Sequence, residues 1–136
     1  MAQPTRVLIA DDSAHARDGL RALLATWPEI AVVGEAANGQ DAVRLVAEYR
    51  PDIVLMDLHM PVLDGLEAAR AIRQLYASRA LKCPPIVAVT ANAFDEDRRQ
   101  CLDAGMDDYL TKPFDREDVS RLLERWCGDK GDARAA

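Results

Sequence analysis

"PDIVLMDLHMP", residues 51–61, decides how the chain is read. Ile53 to Met56 are core-type side chains with no polar residue between them, and they run straight into the carboxylate of Asp57. "VLIADDS", residues 7–13, does the same, carrying Val7 to Ala10 into Asp11 and Asp12. A short apolar run without alternation fits a strand covered on both faces, as in a parallel sheet between two helix layers. Two such strands that end in acid ask for a common explanation.

Working outward, each apolar run is followed by a helical pattern. Arg6 to Ala10 precedes a helix that starts near Ser13, with Ala16, Leu20, Leu23, Leu24 and Trp27 on one face. Asp12 and Ser13 compete to cap it. Ile30 to Glu35 leads to a helix over Asn38 to Tyr49, and Asp52 to Met56 to one from about Asp64 to Tyr76. Ile86 to Val89 precedes a helix over Asn92 to Ala104, and Asp108 to Leu110 one over Asp115 to Trp126. In that last helix Asp115 can serve as the cap while Val119, Leu122, Leu123 and Trp126 share a face. Five βα units in a row predict a doubly wound α/β fold with a five-stranded parallel sheet. Residues 1–127 read as one domain, and residues 128–136, "GDKGDARAA", as a flexible C-terminal tail.

Composition limits the function. The chain has 136 residues, enough for one complete core and short for a second. No apolar stretch approaches the length that spans a bilayer, and "MAQPTRVLIADDS" lacks the apolar region of a signal peptide, so the expected location is cytoplasmic with no membrane insertion. A net charge of −6 without a basic stripe argues against direct nucleic-acid binding. Cys83, Cys101 and Cys127 are odd in number, widely spaced and without a CxxC pair, so they read as reduced, mostly buried thiols.

In a doubly wound sheet, ligands sit beyond the carboxyl ends of the strands. The residues there are Asp11 and Asp12 after the first strand, Asp57 after the third, Thr90 after the fourth and Lys112 after the fifth. Any one of these acids or hydroxyls can be an ordinary helix cap. As a set they are harder to explain that way, because three crowded carboxylates repel one another unless a hard divalent cation and a lysine compensate them. Asp57 is then placed as a nucleophile toward a phosphoryl group, with Mg²⁺ held by Asp12 and Asp57 and through a water on Asp11. Thr90 and Lys112 offer donors to the phosphoryl oxygens. Tyr109 alone reads as a strand aromatic, Met56, Met60 and Leu63 as packing, and His15 as a solvated polar residue.

The order Asp11, Asp12, Asp57, Thr90, Lys112–Pro113, with "MDLHMPVLDGLEAAR" and "GMDDYLTKPF", resembles the receiver domain of two-component response regulators over nearly the whole chain. The C-terminal half is similar in flavour to receivers attached to hybrid sensor kinases. The resemblance implies a flavodoxin-like (βα)5 domain with strand order 2-1-3-4-5. It implies an aspartate, Asp57, that takes a phosphoryl group from the phosphohistidine of a histidine kinase or phosphotransfer protein. It also implies Mg²⁺ bound by Asp11, Asp12, Asp57 and the backbone carbonyl of His59, a switch pair Thr90 and Tyr109, and a cis Lys112–Pro113 bond. The expected output is a changed surface of the fourth helix, fifth strand and fifth helix that controls a downstream protein, with room for a phosphorylation-dependent homodimer. His59 departs from the small or amide side chains expected at its position, and with Asn92 it is expected to flank the path of water to the phosphoryl group.

Three rivals each fail at a named residue. A haloacid-dehalogenase-type hydrolase wants a second aspartate two residues after Asp57, where His59 stands. A phosphate-loop nucleotide hydrolase reading of "GEAANGQD" meets Gln40 where its lysine belongs. A flavin site wants a hydroxyl- and glycine-rich loop after the first strand and finds "DDSAHARD". The reading is therefore a signalling switch, not a turnover enzyme, although it would catalyse its own phosphorylation and slow hydrolysis.

Overall fold

A computed structural model describes residues 4–91 and 95–128. Five strands, β1 (Thr5–Ala10), β2 (Ile30–Ala36), β3 (Ile53–Asp57), β4 (Ile86–Thr90) and β5 (Asp108–Thr111), pair in parallel in the order β2-β1-β3-β4-β5. Between them run α1 (Ala14–Leu24), α2 (Gly39–Tyr49), α3 (Gly65–Ser78) and α4 (Asp95–Asp103), and α5 (Arg116–Leu123) follows β5. The expected flavodoxin-like topology is the one observed.

The unalternated apolar runs are explained by two cores, one on each face of the sheet. Leu8, Ala10, Val54, Met56, Ile86 and Ala88 pack with side chains of α2, α3 and α4. Their sequence neighbours Val7, Ile9, Ile53, Leu55, Val87 and Val89 point the other way and pack with α1 and α5. Adjacent residues on a strand face opposite sides, so only a sheet covered twice buries every residue of β3 and β4. That coverage forces polar residues to the strand ends.

Caps fix where the helices begin. Ser13, not Asp12, caps α1 by accepting from the amide of Ala16, which leaves the Asp12 carboxylate unused by the helix. Asn38 and Asp64 cap α2 and α3, and Asp115 caps α5 in a reciprocal box with Asp118.

Three details depart from the sequence reading. Helix α1 stops at Leu24 instead of including Trp27, because Trp27 precedes Pro28 and that position disfavours helical backbone. Trp27 still packs on the α1/α5 core. Helix α5 turns into a π-helical segment over Glu124–Gly128, so Trp126 lies in that segment and not on a continuing α-helix. The β1–β2 register slips between Val7 and Leu8, which pair with Val32 and Gly34 and leave Val33 bulged. The expected start of the fourth helix at Asn92 lies outside the described residues, as does the expected tail beyond Gly128. Cys101 is buried and Cys83 half-buried, and neither is in a disulfide among the described residues.

Arg73 of α3 reaches the far end of the sheet. Its Nε donates to the carbonyl of Gly105 at 2.6 Å, and its guanidinium pairs with Asp107. The same Asp107 accepts from the amide of Ile86 at 2.8 Å and donates its own amide to the Ile86 carbonyl at 2.8 Å. Gly105 has φ +94°, and a Cβ there would meet Arg73 at 2.8 Å.

Candidate functional site

The site stands at the carboxyl rim of β1, β3, β4 and β5. Carboxylate oxygens of Asp11, Asp12 and Asp57 all lie within 4.8 Å of one another. Asp11 and Asp57 are buried, with residue exposures of 6% and 7%, whereas Asp12 is exposed. Lys112 extends its Nζ to 3.2 Å from Asp11 Oδ2, crossing from β5 to β1. The turn that carries it starts with the Lys112 amide donating to the Thr90 carbonyl at 2.7 Å, and the Lys112–Pro113 peptide is cis as expected. Thr90, at 3% exposure, ends β4 one residue beyond Val89, the register partner of Asp57.

Asp11 and Asp57 are held from behind. Asp11 Oδ1 accepts from the Ser13 amide at 2.9 Å, and its backbone amide donates to the Ala36 carbonyl at 3.0 Å. Asp57 Oδ1 receives a longer bond, 3.4 Å, from the His59 amide. His59 itself is exposed. Behind Asp57, the loop to α3 is closed by the Gly65 amide donating to the Leu58 carbonyl at 2.9 Å. Val62 in that loop has φ +71° and is 74% exposed, an uncommon conformation for a β-branched residue. Neither the close packing of Gly65 nor the conformation of Val62 has a signal in "MPVLDG" beyond the glycine itself.

Electrostatics follow from the crowding. Burial raises the Asp57 carboxyl above its ordinary range, and the charge of Asp11 adds to this. Lys112 and the His59 amide oppose the rise, while Asp12 reinforces it. The protein's own groups therefore leave the negative charge of the rim undercompensated, and a hard cation is favoured there. Oxygen donors from three carboxylates suit Mg²⁺.

Tyr109 is half-buried against the α2/α3/α4 core, with the Arg98 guanidinium 4.6 Å above its ring. Its neighbour Asp108 accepts from Trp126 Nε1 at 2.9 Å and from Arg125, which ties the π-helical segment to β5. The sequence reading foresaw neither the partner of Tyr109 nor those of Asp108. Asn92, expected with His59 to flank the path of water to the phosphoryl group, lies outside the described residues.

Sheet order and rim together define a flavodoxin-like α/β domain with a cation-type acidic cluster at the strand ends. The chain matches the response regulator receiver domain over residues 7–124, and it belongs to that family. The receiver domain of the sensor histidine kinase PA1611 from Pseudomonas aeruginosa PAO1, solved with a magnesium ion in its active-site cleft, is 41% identical. It superposes with a TM-score of 0.79 over 92% of this chain and 98% of that one. The Saccharomyces cerevisiae Ssk1 receiver domain, solved with the phosphotransfer protein Ypd1, is 32% identical, with a TM-score of 0.84 over 93% and 90%. The nitrate/nitrite response regulator NarL of Escherichia coli K12 is 34% identical over 123 residues. That match covers 90% of this chain but 55% of NarL, so the chain spans about half of that relative. Its relatives are phosphorelay receivers, and the Asp11, Asp12, Asp57 cluster fits their magnesium and phospho-aspartate site.

Proposed function

We propose that Asp57 is the phosphoacceptor of this receiver, taking a phosphoryl group from the phosphohistidine of a sensor kinase or a histidine phosphotransfer protein. The observation that carries this reading is the meeting of three carboxylates within 4.8 Å, with Lys112 3.2 Å from one of them. Asp11, Asp12, Asp57 and the backbone carbonyl of His59 are the groups that would hold Mg²⁺, which when bound supplies positive charge against the carboxylates and the phosphoryl oxygens. An oxygen of Asp57 attacks phosphorus as the bond to the donor imidazole nitrogen breaks, and the bond pair stays on that nitrogen. Lys112 then neutralises one phosphoryl oxygen, and the Thr90 hydroxyl donates to another.

Thr90 drawn toward the phosphoryl group leaves room beside Tyr109, so the two act as a switch pair. The surface that changes is the face formed by α4, β5 and α5. It contains a groove of about 590 Å³ lined by Arg98, Tyr109, Leu110, Arg121, Leu122 and Arg125. A downstream protein, or a second copy of the chain in the phosphorylated state, reads that face. The domain is a switch rather than a turnover enzyme, reads no nucleic acid itself and works in the cytoplasm. Among the described residues no helix is long and apolar enough to cross a membrane.

The test is incubation with a small acyl phosphate and Mg²⁺, followed by intact-mass measurement. A gain of one base-labile phosphoryl group is expected in the wild type, and none in Asp57→Asn or in excess chelator. A normal gain in Asp57→Asn would falsify the assignment.

A further inference from the structure

Arg17 on α1 reaches the site from behind. Its Nη1 donates to the backbone carbonyl of Asp11 at 2.6 Å, and its Nε lies 3.4 Å from Glu35 Oε1 at the end of β2. The other Glu35 oxygen is held by Arg21 Nη1 at 2.6 Å, and Arg21 Nη2 holds Asp18 at 2.7 Å. Arg17 and Glu35 are the better buried members, with side-chain exposures of 19% and 24%, while Arg21 lies further out at 49%.

The carbonyl that Arg17 grips belongs to the peptide joining Asp11 to Asp12. That unit is planar, so the direction of the Asp11 carbonyl sets the direction in which the chain enters Asp12. The Asp11 carboxylate has its own supports in Ser13 and Lys112. Asp12 is exposed, and the helix cap goes to Ser13, so the peptide plane is the principal constraint on where its carboxylate projects. We propose that Arg17, braced by Glu35, is a positioning residue for the divalent-cation site, orienting the Asp11–Asp12 peptide so that both carboxylates face Asp57. The inference rests on the reading above that Asp11 and Asp12 hold Mg²⁺.

Charge and geometry predict opposite signs, which makes the idea testable. A guanidinium near the rim repels a cation, so if Arg17 acts through charge alone its removal tightens Mg²⁺ binding. If it acts by orientation, removal weakens binding, as loss of a group supporting metal ligands does. The experiment is Mg²⁺ titration of the full chain, followed by calorimetry and by the amide resonances of Asp12 and Ser13. Arg17→Gln removes the charge. Arg17→Lys keeps it but replaces the two-sided fork with a point donor that does not span the carbonyl and Glu35 together. Arg21→Gln removes an equal charge and leaves the bond to Asp11 in place.

The expected result is a Mg²⁺ dissociation constant raised about tenfold in both Arg17 variants and near the wild-type value in Arg21→Gln. Binding by both Arg17 variants as tight as or tighter than wild type overturns the proposal, and so does equal weakening in Arg21→Gln. If Arg17→Gln does not fold, Arg17→Lys decides alone. A wild-type chain that does not bind Mg²⁺ overturns the reading of the rim itself, and the brace with it.

Discussion

Gly65 lies directly against Asp57: a Cβ on Gly65 would stand 2.4 Å from the Asp57 carbonyl oxygen and 2.8 Å from the α-carbon of Leu58. Both neighbours are backbone, which has little freedom to move aside. The first turn of α3 is thereby pressed onto the strand end that presents the proposed phosphoacceptor.

Gly65→Ala tests that contact. Alanine is favoured over glycine in a helix by about 1 kcal/mol, yet overpacking of this kind costs roughly 1–3 kcal/mol. The expected net effect is a lower urea midpoint together with slower phosphorylation, because relief requires shifting Asp57 or α3. A midpoint at or above wild type with unchanged phosphorylation would show that the contact relaxes freely.

Asp57→Asn is expected to stabilise the metal-free protein at neutral pH. The folded Asp57 carboxyl is raised by burial and by Asp11, so the folded state favours its protonated form. The corresponding stability is present below the ordinary carboxylate range and is lost as pH rises through the raised folded value. An asparagine carries no such loss. Thermal unfolding in chelator should give the Asp57→Asn variant the higher midpoint at neutral pH, with the gap closing as the solution is acidified. Saturating Mg²⁺ should narrow the gap by stabilising the wild type more. A gap independent of pH contradicts the electrostatic origin.

Val62→Asn should stabilise the protein by about 1 kcal/mol, because asparagine tolerates the left-handed region that a β-branched residue resists. The side chain is mostly exposed, so little packing is lost. Denaturant unfolding measures this, and a loss of stability would mean that the valine makes contacts worth more than its strain.

Trp126 should report phosphorylation. Its indole donates to Asp108, and Asp108 adjoins Tyr109, so a rotation of Tyr109 disturbs the indole environment. With Trp27→Phe, Trp126 is the sole tryptophan. Its emission is expected to change on addition of acyl phosphate and Mg²⁺, and to stay fixed when Asp57 is also replaced by asparagine. An unchanged spectrum in a fully phosphorylated sample counts against a switch that runs through β5.

The fold was legible because its signals are local. Val7 to Ala10, Ile53 to Met56 and Ile86 to Val89 are apolar at every position, which only double coverage of a sheet explains. Their polar ends then gather at one rim by topology alone, and that is enough to bring Asp11, Asp12, Asp57, Thr90 and Lys112 together. What escaped depends on distant pairing or on backbone detail. Arg17 carries no signal in the sequence, and its partner Glu35 lies 18 residues away, so only the packing of α1 beside β2 sets one by the other. Trp27 continues the apolar stripe of α1 perfectly well, and Pro28 ends the helix before it. The bulge at Val33 and the π-helical segment around Trp126 change register by a single residue, which a pattern of apolar positions does not resolve.

The Arg73–Asp107 pair has a mechanical consequence. With Asp107 tied to α3 through the guanidinium and to β4 through Ile86, the start of β5 is pinned on two sides. Sliding of β5 along β4 would break those bonds, whereas a tilt about Asp107 would strain chiefly the outer bond from the Lys112 amide to the Thr90 carbonyl. If phosphorylation of the proposed acceptor tilts β5, Asp107 is the expected fulcrum, and the displacement at Tyr109 and Lys112 is expected to grow with distance from it. The outer turn at Lys112–Pro113 would then be the long arm, and α5, which follows that turn, would be expected to move with it.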